Sequence, residues 1–107
     1  MQVYESVGSM ATVVNGGDAK SVSSASEAIA AANDNRRSLT ITNLSTTAML
    51  TVALGQTAVS TKGYNLAPAA DATHPGGSVT ITDYTGAVNG IMSAADATTG
   101  NVAIVEV

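Results

Sequence analysis

The residues able to do chemistry are few and widely spaced. The single histidine, His74, lies between Thr73 and Pro75. A dyad or relay would need a nucleophile and an orienting carboxylate placed by a recognisable signature, and none is present, so His74 reads as a loop residue available to a partner. Eight carboxylates are scattered along the chain, and Asp71, Asp83 and Asp96 fall in turn-like stretches that could converge at one end. The Asp-x-Asp-x-Asp-Gly spacing of a calcium loop is absent, and with no cysteine there are neither thiolate ligands nor disulfides. Gly16-Gly17 and Gly76-Gly77 lack the spacing and lysine of a phosphate loop and read as turns. No catalytic residue, metal or cofactor is expected.

Recognition is a better use of what remains. Arg36-Arg37, just before an alternating segment, could bind carboxylates through their planar guanidinium forks, or could satisfy a loop carbonyl or a neighbour such as Asp34 or Asp83. In Asp83-Tyr84-Thr85-Gly86, the aspartate caps a turn, the glycine supplies unusual torsions and Tyr84 covers the core edge with its hydroxyl in water. Tyr64 and Tyr84, beside loop aspartates, could instead form a sugar-binding surface, although three tyrosines are all the aromatic residues available.

These side chains must be carried by strands. Leu39 and Ile41 alternate with Ser38, Thr40 and Thr42, and Leu50, Val52 and Leu54 share one face of Ala48 to Leu54, a period of two that marks half-buried strands. The turn-rich link Asn43 to Thr47 predicts a hairpin between them. The same grammar recurs in Ser78 to Thr82, with Val79 and Ile81 inward, the turn at Asp83 to Gly86, and Ala87 to Met92, which predicts a second hairpin. Asn101 to Val107 alternates with apolar groups on both faces, as a central strand would. Pro68, Pro75, Gly76 and Gly77 make Tyr64 to Gly77 a long loop that cannot be a central strand. Before Arg36 the signals are short: Gln2 to Val7, Ala11 to Val14 and Ala19 to Ser23 read as weak strands. Ser24-Ala25-Ser26-Glu27 has capping-box spacing and predicts a turn or two of helix over the adjoining alanines, Ala28 to Ala32.

Strands at such spacing, with turn signals between them, predict an all-β fold, a small antiparallel β-sandwich or barrel-like domain with an N-terminal arm. Residues 1–27 are read as the arm or edge strands and 28–107 as the sandwich. The core material is thin: the chain is 45% hydrophobic but lacks Phe and Trp, and alanine and valine carry most of that content. Only 11% of residues are charged, so collapse rather than disorder is expected. Further stability should then come from a protein partner or from self-association. A net charge of -4 with four basic residues argues against nucleic acid or an anionic membrane. No run approaches a bilayer span, and Met1-Gln2-Val3-Tyr4-Glu5 is not a secretory leader, so synthesis in a cytoplasm is expected.

The segment Ala30-Ala31-Ala32-Asn33-Asp34-Asn35-Arg36-Arg37-Ser38-Leu39-Thr40-Ile41-Thr42-Asn43-Leu44-Ser45 resembles small virion-associated proteins of bacteriophages, of the capsid decoration or cement type. Leu54-Gly55, Gly63 to Leu66, Asp83 to Val88 and Asn101 to Glu106 are similar too, so the likeness covers about residues 28 to 107. The resemblance implies a non-enzymatic β-sandwich that coats or cements the capsid, bound to the major capsid protein, or that sits elsewhere in the particle, and that is commonly oligomeric. A trimer would match three-fold capsid positions. Arg36, Arg37, Tyr64, His74 and Tyr84 are the candidate contacts. The alternative is a carbohydrate-binding or adsorption module on a fibre or tail.

Overall fold

The computed structural model describes residues 15–96 and 98–107. Among them the chain forms eight strands and no helix: β1 (Asn15–Lys20), β2 (Glu27–Ala30), β3 (Ser38–Asn43), β4 (Leu50–Leu54), β5 (Tyr64–Leu66), β6 (Ser78–Thr82), β7 (Val88–Met92) and β8 (Val102–Glu106). They build two four-stranded sheets, in the orders β1-β8-β3-β6 and β2-β7-β4-β5. Every pairing is antiparallel. This is the expected all-β sandwich, and β8 is central, between β1 and β3.

The core follows from the alternation. Leu39 and Ile41 of β3, Ile81 of β6, and Val102 and Ile104 of β8 face Ile29, Leu50, Val52, Val88 and Met92 of the second sheet, all within one buried cluster. Val22 and Leu66 extend it. With the core residues of each sheet gathered on one face, laying the two sheets face to face removes both apolar faces from water.

Both predicted hairpins are absent. β3 and β4 lie in different sheets, as do β6 and β7, so each connection crosses the sandwich. Alternation alone fixes which face is buried and not which neighbour a strand pairs with, and a link of about five residues serves a crossing as well as a hairpin. The first crossing is held by a buried side chain: Asn43 Nδ2 donates to the carbonyls of Ala48, Leu66 and Ala67, at 3.0, 3.0 and 3.2 Å, and its Oδ1 accepts from Ser45 N at 2.9 Å. The second begins at Asp83, whose φ of 59° turns the chain out of β6.

The predicted helix is also replaced. Glu27 does reach back, accepting from Ser23 N at 2.8 Å in the manner of a cap. The chain then continues as strand β2, paired with β7, which buries Ile29 and Ala30 in the core. Tertiary pairing outweighs the high helix propensity of alanine, because so short a helix is marginal alone and its stripe would bury little area.

At the N-terminal side, β1 begins at Asn15, earlier than the predicted Ala19. It runs through Gly16-Gly17, which lie in a register shift of the β1–β8 pair rather than in a turn. The strand signals at Gln2 to Val7 and Ala11 to Val14 lie outside the described residues. The predicted long loop opens with the short edge strand β5, and Pro68 and Pro75 come after it. Past β5 the loop is stitched to the first crossing: Gly76 N donates to Asn43 O and Gly77 N to Ala67 O. A Cβ on Gly76 would collide with the Ala67 carbonyl, so only glycine fits there.

Candidate functional site

The strand directions give the sandwich two ends. β3 and β6 meet at one end through Ser38 and Thr82, where β7 begins and β8 finishes. The opposite end carries the first crossing and the segments 67–77 and 93–101.

Arg36 lies at the former end and is only 3% exposed. Its Nε donates to Glu106 Oε2 at 2.7 Å, Nη1 donates to the carbonyls of Gly86 and Tyr84 at 2.8 and 3.2 Å, and Nη2 donates to Ala31 O at 2.6 Å. An unpaired guanidinium would be intolerable at this depth, and here all three nitrogens are occupied. Arg36 is therefore an internal staple joining β8 to the second crossing and to the chain after β2, and it is unavailable as a docking group. Its carboxylate partner is Glu106 rather than Asp34 or Asp83. The signal for this was present: Glu106 continues the inward face of Val102 and Ile104, and a carboxylate on a core face needs a buried cation.

Arg37 is exposed, with its backbone tied to Val107 O and to Asp83 N. Tyr84 joins the Arg36 knot through its carbonyl. Its ring packs on the core and lies close against Gly55 and Gly86, and its hydroxyl donates to Ala87 O at 3.0 Å. That hydroxyl is bonded within the protein rather than left to water. Tyr64, on edge strand β5, is 47% exposed.

His74 sits at the other end, in a tight turn with Asp71. Asp71 Oδ1 accepts from Thr73 N and Thr73 Oγ1, each at 2.8 Å, and lies 2.8 Å from His74 Nδ1. The His74 side chain, then Thr73, holds the Asp71 carboxyl below its ordinary range. Asp96 shares this end, and the Ser45 hydroxyl followed by the Thr98 amide lowers its pKa to about 2. Asp83 lies at the opposite end, so the three loop aspartates do not converge. Among the described residues no group of three or more His, Cys, Asp or Glu is placed to hold a metal.

A broader feature carries more functional meaning. The outward face of the first sheet presents Ser38, Thr40 and Thr42 of β3, Ser78, Thr80 and Thr82 of β6, and Ala103 and Val105 of β8. Register places Thr40 opposite Thr80 on one side and Val105 on the other, and Thr42 opposite Ser78 and Ala103. These side chains carry no charge, Val105 is 40% exposed, and the Thr40 and Thr80 hydroxyls bond to one another at 2.9 Å.

The second sheet is treated differently. Its outward Thr51 and Ala53 are buried because residues 55–63 fold over them. Thr61 N donates to Thr51 Oγ1 at 3.0 Å, Asn89 Nδ2 donates to Gln56 O at 2.7 Å, and buried Ala58 is fixed through Ser26 Oγ. The outward face of β4 is thus covered by the protein's own chain, whereas among the described residues nothing covers the outward face of β3, β6 and β8. The repeated pattern Ser-x-Thr-Ile-Thr at 38–42 and 78–82 was the sequence signal for the bare face. Comparison with protein-family models, curated proteins and solved structures finds no match to this chain.

Proposed function

We infer that this chain is a non-enzymatic structural protein of a bacteriophage particle, which decorates the capsid and stabilises it by bridging capsid subunits. The observation that carries the reading is the uncharged Ser/Thr/Val face of β3, β6 and β8, open among the described residues, set against the outward face of β4, which residues 55–63 cover. A flat sheet surface without charges can meet another protein surface without burying an unpaired ion, and its hydroxyls can donate or accept as the partner requires. The likeness of residues 28 to 107 to virion-associated proteins supports the same reading. The mechanism is mechanical: contact area added across subunit joints must be broken before the shell can rupture. A homo-oligomer, with a trimer favoured, would set one copy against each subunit around a three-fold position.

The test is co-sedimentation of the purified protein with capsids that lack it, assembled from the virus that encodes it. Saturable binding at a fixed ratio to the major capsid protein is expected. Failure to bind any capsid form would overturn the reading, and binding to a glycan array through exposed Tyr64 would replace it with an adsorption module.

A further inference from the structure

A cavity of about 380 Å³ opens at the end of the sandwich where the chain leaves β3, lined by Leu44, Ala69, Asp71, Ala72 and Pro75. Its volume falls near the lower end of ligand pockets, roughly 300 to 1,000 Å³. The walls are held by backbone bonds rather than left to loop motion: Ala69 N donates to Ser45 O at 2.7 Å, Ala70 N to His74 O at 3.2 Å, and Gly76 N to Asn43 O at 2.9 Å. Leu44, a large apolar side chain beside it, is 38% exposed.

We propose that this cavity is a socket for a lysine side chain of a partner protein, with the methylene stem against Leu44, Ala69, Ala72 and Pro75 and the ammonium on the Asp71 carboxylate. The chemistry is read from the two oxygens of Asp71. Thr73 and the His74 ring are gathered on Oδ1 within the turn, so Oδ2 is the oxygen toward which a further donor can be directed. A guanidinium fork prefers both oxygens of a carboxylate, and only one is open; a compact ammonium needs no more than that. Lysine also buries its stem along apolar surface while its head reaches a polar rim, which is the layout of these walls. The carboxylate is ionised at neutral pH, since the turn stabilises its charged form. The chain's net charge of -4 favours a cationic occupant as well. Its own Lys20 lies beside Asp18, and Lys62 belongs to the segment covering the second sheet. This inference stands apart from the role of the bare face, because it rests on a different end of the molecule.

The experiment is methyl-detected NMR on the full chain, titrated with N-acetyl-lysine-methylamide and with its norleucine, arginine and spermidine comparators. Saturable shifts at the Leu44, Ala69 and Ala72 methyls are expected with the lysine compound, with affinity about two- to fivefold above norleucine, as one partly screened ion pair gives. Asp71→Asn, whose side-chain oxygen can still accept from Thr73, should erase that preference, and Ala72→Leu should fill the cavity and abolish the shifts. Equal binding of lysine and norleucine, a preference that survives Asp71→Asn, or no shift at these methyls would overturn the proposal. Tighter binding of spermidine would overturn the protein source and assign the socket to a free polyamine.

Discussion

At the scale of single residues, the most consequential side chains are the polar groups held inside the sandwich. Arg36 satisfies Glu106 and three carbonyls from one buried position, so truncating it strands a carboxylate and leaves those carbonyls without their donor. Arg36→Ala is expected to cost about 3 to 5 kcal/mol, read as a fall in the urea midpoint with unchanged m-value. Asp96 predicts an acid response. Its folded pKa of about 2 lies below the unfolded value, so its contribution is present above roughly pH 4 and is lost as pH falls toward 2. Asp96→Asn should therefore flatten the decline in stability across that window, measured as urea midpoint against pH. An identical decline in the variant would remove Asp96 as its cause.

At the scale of elements, the connections set the behaviour. Only β4 and β5 are both consecutive in sequence and paired, while β1 pairs with β8 across nearly the whole described chain. Such non-local pairing predicts folding in milliseconds to seconds by stopped flow rather than microseconds. The Asn43 side chain closes the first crossing, so Asn43→Ala should lower stability by about 1 to 3 kcal/mol, the cost of leaving buried groups unpaired. Strand identity was legible from sequence because alternation reports burial: Leu39, Ile41, Val102 and Ile104 all point inward as their spacing requires. Pairing was not legible, since a β3 that turns back and a β3 that crosses over bury the same residues. Nor was β2, whose alanines suit a helix locally and a strand only once β7 is beside them. Of the candidate site, His74 is a surface loop residue as its position suggests and Tyr64 is exposed, while Arg36 meets the loop carbonyls that were one of its two readings; its carboxylate partner, seventy positions away, was not legible. The buried roles of Asn43 and Ser45 were hidden because asparagine and serine at strand ends look like ordinary turn residues.

At the scale of the whole molecule, the asymmetry between the two faces governs how the sandwich can meet a partner. A chain without disulfides and with an aliphatic core uses residues 55–63 to cover the outward side of β4 and, among the described residues, leaves the outward face of β3, β6 and β8 open. A charge placed on the open face should leave folding nearly untouched, within about 0.5 kcal/mol, because Thr80 is exposed and its hydroxyl bond to Thr40 is itself exposed to water. The same charge should be costly wherever that face is buried against a partner. Thr80→Glu separates these cases.

The most direct test is therefore the rupture temperature of capsids lacking the protein, measured after adding wild-type chain or Thr80→Glu at equal concentration, with the fold of each checked beforehand by thermal melting. Wild type is expected to raise the rupture temperature to a plateau, while a normally folded Thr80→Glu leaves it near that of bare capsids. Equal protection by both would show that the bare face is not the contact, and no protection by wild type would contradict the decorating role itself.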